Sequence, residues 1–237
     1  MQRLKVLIII PAYNEQARLP EVLRKLAETS SHSVMVVDDA SADATVNMAK
    51  IEGFPVVSLP LNLGIGGAVK AGYKYAIENG FDIAVQFDAD GQHNPHQLDD
   101  LLQPIVMNEA EMVIGSRFIA KQGYQSEKLR RLGIRFFSFL TSIIIGYRIT
   151  DVTSGFRAVG GNLLADFARY YPVDFPDAAA IILAKTLGYR IVEKPVIMAP
   201  RTTGASSFNF ARKLSYPVKT FISIMAAALR SKRYNRS

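Results

Sequence analysis

Apolar residues in the first half of the chain follow two alternating patterns. Short continuous runs rich in Val, Ile and Leu are typical of strands buried on both faces. Between these runs, Leu19, Val22, Leu23 and Leu26 illustrate the three- and four-residue spacing of an amphipathic helix. The runs predict strands at Leu4–Ile10, Val34–Val37, Val56–Leu59, Ile83–Phe87 and Met112–Ile114.

The alternation of strand and helix with short connections predicts an α/β fold with a three-layer, mainly parallel sheet. A helix is expected at Pro95–Met107, and Pro104 should kink it. The second half is less regular, and Asp151–Arg157 reads as a polar turn. The remaining pattern predicts helices at Lys128–Gly146, Asp177–Leu187 and Phe208–Arg230, and a last strand at Arg190–Met198.

Composition and charge limit the kinds of partner that this chain is expected to bind. The 237 residues are 49% hydrophobic, which suffices for one substantial core. The net charge of +7 favours an anionic partner, but base-stacking platforms cannot be identified, so nucleic acid is not expected. The chain has no cysteine, which excludes thiolate chemistry and fits the cytosol. No apolar run reaches the ~18 residues of a spanning helix, so we do not expect an integral membrane protein.

Two carboxylates directly follow the fourth predicted strand. Asp88 and Asp90 therefore lie at the carboxyl end of the sheet, where open α/β sheets bind ligands. Hard oxygen ligands at this place suit Mg²⁺ or Mn²⁺ bound to a phosphorylated substrate, although the same spacing also fits a polar turn. Gln92 could add a ligand. His93 and His96 are interpreted as surface residues at the start of a helix.

Further polar groups follow other predicted elements. Asp39, after the second strand, could accept hydrogen bonds from a ribose or a base, with helix capping as the alternative. Three arginines lie among small residues of separate loops, where guanidinium groups can match phosphate oxygens. They are Arg117, Arg157 and Arg201.

Six short motifs occur in an order that resembles the inverting family 2 glycosyltransferases with the GT-A fold, a Rossmann-like architecture. The most similar branch transfers sugars to dolichyl or polyprenyl phosphate. The motifs are Pro11-Ala12-Tyr13-Asn14-Glu15, Val37-Asp38-Asp39-Ala40-Ser41-x-Asp43-x-Thr45, Asn62-x-Gly64, Asp88-Ala89-Asp90-Gly91-Gln92, Gly115-Ser116-Arg117 and Asp151-x-x-Ser154-Gly155-Phe156-Arg157.

The resemblance implies a role for each matching residue. Asp88, Asp90 and Gln92 would hold the metal, and Asp151, Asp90 and Asp177 would lie at the reaction centre. The acceptor phosphate would meet Arg135, Ser138 and Arg117. The donor nucleotide would contact Pro11, Tyr13, Glu15, Val37, Asp39, Asp88, Ala89, Arg117 and Arg201.

The resemblance also implies the reaction. With Mg²⁺ or Mn²⁺, a hexose would pass from a nucleotide sugar to undecaprenyl or another polyprenyl phosphate, with inversion to a β-linked product. UDP-glucose and UDP-N-acetylglucosamine are the favoured donors, and GDP-mannose is the rival. Ala179 and Ser207 depart from the family's pattern. Transfer to a saccharide acceptor and a non-catalytic nucleotide-sugar-binding subunit therefore stay as alternatives.

Two apolar stretches beside basic residues would bring the enzyme to its lipid. They lie in the predicted helices Lys128–Gly146 and Phe208–Arg230, and such helices suit an anionic membrane surface. A buried helix hairpin or a homo-oligomer interface would also explain them. We expect a glycosyltransferase domain over residues 1–210 and an interfacial, basic tail over 211–237. The enzyme would be peripheral on the cytoplasmic face of a bacterial-type plasma membrane, with a small membrane protein as a further partner.

Overall fold

The structure, a computed structural model, describes residues 4–124, 128–200 and 210–234. Within these residues one seven-stranded sheet has the order β3-β2-β1-β4-β6-β5-β7. Its strands are β1 (Val6–Ala12), β2 (Ser33–Asp38), β3 (Val56–Ser58), β4 (Ile83–Gln86), β5 (Met112–Ser116), β6 (Arg157–Gly160) and β7 (Ile191–Pro195). Every pairing is parallel except those of β6, which runs antiparallel to both β4 and β5.

Helices cover both faces of this sheet. They are α1 (Leu19–Thr29), α2 (Thr45–Ile51), α3 (Gly64–Glu78), α4 (Leu98–Val106), α5 (Lys128–Ile145), α6 (Asn162–Tyr170), α7 (Pro176–Thr186) and α8 (Phe210–Tyr234). Because side chains alternate along a strand, Ile8 and Ile10 of β1 pack with α1 and α4, whereas Leu7 and Ile9 pack with α3, α6 and α7. Two buried clusters therefore enclose the sheet, which confirms the predicted three-layer, mainly parallel α/β architecture.

The second half of the chain contains two elements that the apolar pattern does not predict. Strand β6 has only four residues, Arg-Ala-Val-Gly, and all four are buried, so it shows no alternation of polar and apolar positions. Helix α6 follows directly. The last strand is shorter than predicted, and a short 3₁₀ turn at Pro95–Gln97 precedes α4. These short elements are stabilised by tertiary packing more than by local sequence preference.

Helix α8 packs against α7 and α5. Ile224 is fully buried, and Ser223 Oγ donates to the carbonyl oxygen of Phe175 at 3.2 Å. The predicted division of the chain at residues 210 and 211 stays a prediction. Among the helices of the described ranges, none combines the length and the apolar character that crossing a membrane requires.

Candidate active site

The polar motifs of the sequence meet at one edge of the sheet. Parallel strands β1, β2, β4 and β5 all end at this edge. Strand β6 runs in the opposite direction, with Arg157 paired to both Gln86 and Ile114, so its first residue lies at the same edge. The turn that precedes β6 is thereby brought beside the turn that follows β4.

The loops after β1 and β2 are joined by reciprocal hydrogen bonds. The Asn14 amide donates to Ser41 Oγ at 2.9 Å, and the Ala42 amide donates to Asn14 Oδ1 at 2.9 Å. The Glu15 amide donates to Thr45 Oγ1, while the Glu15 carboxylate pairs with Arg18 at 2.9 Å. These hydrogen bonds hold the loop after β1 against the loop after β2.

The residues expected to contact the nucleoside differ in accessibility. Tyr13 is 41% exposed, and Pro11 is partly exposed beside it. Val37 is fully buried within the core and Ala89 is 3% exposed. A nucleoside can therefore reach the side chain of Tyr13 in this structure, whereas the side chain of Val37 is enclosed by protein.

Asp39 caps a helix. Its carboxylate accepts the amides of Leu63 at 2.7 Å and Gly64 at 2.9 Å, at the start of α3. Burial raises the pKa of Asp39, and these two amide bonds partly oppose the rise. A carboxylate offers about four acceptor positions, so these two bonds leave capacity for a ligand hydroxyl. The capping alternative is thus realised, on α3, and a nucleoside role for Asp39 stays a prediction.

The turn after β4 holds its two carboxylates in fixed positions. Asp88 Oδ1 accepts from Gln86 Nε2 at 3.1 Å, and Asp90 Oδ1 accepts the Gln92 amide at 3.0 Å. Gln92 is tied to Ala199 by two bonds, of 2.9 and 3.1 Å. The turn is therefore anchored at both ends, and the Asp88 side chain remains 26% exposed.

The interpretation of His93 as a surface residue is wrong. His93 is 6% exposed, and its ring stacks on Phe156 with centroids 4.9 Å apart. Its Nδ1 accepts a hydrogen bond from the Asp88 amide at 3.1 Å, which helps to fix the carboxylate turn. His96 is exposed, as predicted. The missed burial has a physical cause: the aromatic partner of His93 lies far along the chain.

A buried ion pair lies across the edge from this turn. Arg117 donates through Nε and Nη2 to the two carboxylate oxygens of Asp151, each at 2.7 Å, and also to Thr153. Asp151 is 0% exposed. Burial alone would lower the pKa of Arg117, but the bonds to Asp151 and the charges of Asp151, Asp177 and Asp88 raise it. Arg117 therefore stays charged, and a phosphate would have to share its guanidinium with Asp151.

Arg157 does not support the hypothesis of phosphate recognition. Its side chain is 2% exposed and donates to the carbonyl oxygens of Ser154, Asp177 and Val152. A buried guanidinium that donates to three backbone carbonyl groups stabilises the turn instead. Arg201 lies outside the described residues.

The residues expected near the acceptor lie on or beside α5. Ser138 is 4% exposed, and its hydroxyl donates to the Thr150 carbonyl oxygen at 3.1 Å. It therefore joins α5 to the turn that carries Asp151. Arg135, three residues earlier, is exposed. Asp177 lies in the first turn of α7, is partly exposed, and its charge acts on Arg117.

The family of this chain is identified by a match to a known protein family. Residues 7–165 match the family described as glycosyl transferase family 2. The chain belongs to this family. The match runs from β1 to the first turn of α6, and so includes both the carboxylate turn and the Arg117–Asp151 pair.

Two relatives of this glycosyltransferase are named for the transfer of a sugar to a lipid phosphate. The undecaprenyl-phosphate mannosyltransferase of Micrococcus luteus is 34% identical over 220 residues, which cover 87% of this chain and 88% of the relative. The UDP-N-acetylglucosamine–dolichyl-phosphate N-acetylglucosaminyltransferase of Methanococcus voltae is 32% identical over 211 residues, covering 81% and 84%.

A solved structure shares the fold of this glycosyltransferase. Glucosyl-3-phosphoglycerate synthase from Mycobacterium tuberculosis, in complex with Mn²⁺, UDP-glucose and phosphoglyceric acid, aligns with a TM-score of 0.74. The alignment covers 94% of this chain and 79% of that one, at 18% identity. The similarity confirms the predicted GT-A fold.

The donor set of the glycosyltransferase suits a divalent ion that is shared with a substrate. Within the described ranges, no group of three or more His, Cys, Asp and Glu side chains is arranged to hold a metal. Asp88 and Asp90 supply hard oxygen atoms, and Mg²⁺ commonly binds through one or two carboxylates plus phosphate oxygens. Gly155 keeps the space beside Asp88 open, because a Cβ there would lie 2.7 Å from Asp88 Oδ1. The residues fit such an ion.

One acidic residue of the site was missed by sequence reasoning. Glu193, in β7, binds the turn that carries Asp151 and lies 42 residues beyond it. Burial raises the pKa of Glu193, and hydrogen bonds from Thr150 and Asp151 partly oppose the rise. A lone acid within a short strand carries no motif, and the neighbouring Lys194 makes β7 look partly polar, so no local signal in the sequence indicated it.

Proposed function

We propose that this family 2 glycosyltransferase transfers a hexose from a nucleotide sugar to polyprenyl phosphate, with Mg²⁺ or Mn²⁺ at Asp88 and Asp90. One observation carries the proposal. Gly155 packs directly against Asp88 of the carboxylate turn, and the loop that contains Gly155 is hydrogen-bonded through Thr150 to the arginine-bearing helix α5. A donor diphosphate and an anionic lipid headgroup would therefore meet at one place.

The donor side is formed by the first half of the chain. The interlocked loops after β1 and β2 would receive the nucleoside, with Tyr13 accessible for contact and Glu15 held by Arg18. The nucleoside diphosphate would then extend toward Asp88 and Asp90, the next polar groups along the edge. UDP-glucose and UDP-N-acetylglucosamine are the favoured donors, and GDP-mannose is the rival.

The bound ion would act as a Lewis acid that stabilises the charge developing on the nucleoside diphosphate leaving group. This chain's own residues would hold the reactants. Gln86 and His93 fix the Asp88 turn, and Ala199 fixes Gln92. A rigid support of this kind matters because catalysis by positioning depends on placement within about 1 Å.

On the acceptor side the nucleophile is a phosphate monoester, which is anionic at neutral pH. It needs positioning and charge neutralisation more than a strong general base. Arg135 is exposed on α5, and the Arg117–Asp151 pair fixes the neighbouring turn. Asp151 is fully buried and bound to Arg117, which supports a positioning role instead of proton abstraction. In-line attack would invert the anomeric carbon.

Transfer to lipid is testable directly. The protein is incubated with labelled UDP- and GDP-sugars, undecaprenyl phosphate in detergent, and Mn²⁺ or Mg²⁺. We expect label in the organic phase with one donor, loss of this label with excess EDTA, and recovery on adding Mn²⁺. Retention of full transfer in EDTA would contradict the proposed ion. Label on an added oligosaccharide alone would favour the saccharide-acceptor alternative, and nucleotide-sugar binding without any transfer would favour the non-catalytic one.

The exposed face of α5 supports docking on an anionic membrane. Four large apolar side chains repeat at intervals of four, three and four residues: Leu132, Phe136, Phe139 and Ile143, exposed by 65%, 54%, 66% and 62%. They form a single helical stripe, with Arg130 and Arg135 also exposed. An apolar stripe beside cations is typical of a helix that lies in the interface of an anionic bilayer.

Replacing Phe136 and Phe139 together by serine is expected to lower affinity for anionic vesicles at least tenfold, because inserting each ring is worth roughly 1.5–3 kcal/mol. Flotation with vesicles of phosphatidylglycerol and phosphatidylcholine measures the effect. Ile51→Ser is the matched control, since Ile51 is 72% exposed on α2. Unchanged flotation of the double variant would exclude the α5 stripe as the docking face and favour a contact between copies.

A further inference from the structure

Glu193 binds the acceptor-side turn through both of its carboxylate oxygens. Oε2 accepts the Thr150 amide at 2.8 Å, and Oε1 accepts the Asp151 amide at 2.9 Å. The Thr150 hydroxyl lies 3.0 Å from each of the two oxygens. One carboxylate on the sheet therefore holds two successive peptide groups of a loop.

The place of Glu193 in the sheet explains this reach. Strand β7 is parallel to β5, and Glu193 is in register with Ile114. Strand β5 ends at Ser116, immediately before Arg117. Ser116 Oγ lies 2.7 Å from Thr150 Oγ1, so the same threonine is also tied to the strand that delivers Arg117.

Thr150 is consequently hydrogen-bonded to three other side chains. Its amide and hydroxyl meet Glu193, its hydroxyl also meets Ser116, and its carbonyl oxygen accepts from Ser138 of α5. The next residue is Asp151, whose amide is bound by Glu193 and whose carboxylate is bound by Arg117. A continuous series of bonds thus runs from β7 to the guanidinium of Arg117 and to α5.

We propose that Glu193 is a positioning residue that sets the Arg117–Asp151 pair and helix α5 in register with the carboxylate turn. The inference rests on the proposed function, since it assigns Glu193 to the acceptor side of that same reaction. In this role Glu193 acts through Asp151, which it binds directly, and so through Arg117.

The chemistry of the site requires an anion with two acceptors. Both Glu193 oxygens accept peptide N–H groups, so a glutamine would place its own NH₂ donor against one of them. A buried N–H group that loses its acceptor is costly, and the turn would shift to recover one. Glu193→Gln therefore changes the position of Asp151 while the side chain keeps nearly the same volume.

The test compares Glu193→Gln with Glu111→Gln. Glu111 is the matched control because, like Glu193, it accepts a backbone amide; its second donor is the guanidinium of the same residue, Arg190. Glu111 lies next to the start of β5, far from the active edge. We expect Glu193→Gln to lower kcat about tenfold to a hundredfold while the donor KM stays within about twofold, the pattern of an interaction needed in the transition state. Glu111→Gln should leave both constants near the wild-type values.

A spectroscopic readout makes the inference independent of turnover. The Nε–H group of Arg117 is buried and hydrogen-bonded, and its ¹H–¹⁵N signal is assigned by its loss in Arg117→Lys. Glu193→Gln should shift or broaden this signal, whereas Glu111→Gln should not. Thr150→Val, which removes only the hydroxyl bonds, should shift it less and serves if Glu193→Gln does not fold.

The outcomes separate the two proposals. A wild-type protein that transfers no sugar to lipid phosphate contradicts the proposed function, and the Arg117 signal then decides on Glu193. Wild-type transfer with unchanged kcat in Glu193→Gln overturns the positioning role. So does an unmoved Arg117 signal, or a Glu193→Gln effect that adds fully to that of Arg117→Lys, since residues acting through one contact are not additive.

Discussion

Gly155→Ala is expected to lower sugar transfer about a hundredfold, because displacement of a reacting group by about 1 Å costs that much. A Cβ on Gly155 would lie 2.7 Å from Asp88 Oδ1 and 2.8 Å from Gln86 Nε2. The backbone of Gly155 is outside the left-handed region, so alanine brings contact without backbone strain. Asp88 would have to move, and the proposed ion would lose one of its carboxylates.

Two measurements identify the cause. Mn²⁺-dependent binding of UDP, followed by calorimetry, should weaken in parallel with transfer. Gly133→Ala is the control: Gly133 lies in α5, where an added Cβ would meet open space, and alanine favours a helix by about 1 kcal/mol. Wild-type transfer by Gly155→Ala would show that Asp88 need not hold its present position.

Asp151→Asn is expected to reduce the free energy of unfolding by about 3–5 kcal/mol, the cost of leaving a buried charge without its partner. Arg117 is 5% exposed, and its guanidinium has the Asp151 carboxylate as its bidentate partner. The asparagine keeps one acceptor oxygen but removes the negative charge. Urea denaturation at neutral pH measures the loss.

The double variant Arg117→Met/Asp151→Leu should recover most of this stability and none of the activity, because apolar replacement of a whole buried pair is often neutral. Glu111→Gln breaks the surface pair with Arg190 and should cost less than about 1 kcal/mol. An Asp151→Asn protein as stable as wild type would mean that Arg117 finds another partner or reaches water.

The first five strands of the fold could be predicted from the sequence because each contains a short run of apolar residues. Strand β6 was not, since Arg157–Gly160 has neither length nor alternation and is held by β4 and β5. Its reversed direction is a property of the assembled sheet. The family resemblance supplied the GT-A fold, but the residue pattern alone predicted only a parallel α/β protein.

The candidate site was predictable as far as its motifs extend. The Asp88 and Asp90 turn was located from its place after a buried strand. The contacts of the other site residues could not be predicted, because each partner lies in a distant segment of the chain. Arg157 contacts Asp177, His93 contacts Phe156, and Asp151 contacts Glu193. Residue type indicated which chemistry was available, whereas tertiary contacts decided which groups remain accessible to a ligand.

The reversed strand β6 divides the site by chain order. The proposed donor half is built from residues up to His93, and the acceptor half from Arg117 onward, joined where β6 enters between β4 and β5. Substitutions in the later segment are nevertheless expected to reach the donor half, because Gly155 packs against Asp88 and Ala199 binds Gln92. In evolutionary terms the antiparallel insertion links the two halves, so we expect acceptor specificity to change only within limits set by the carboxylate turn.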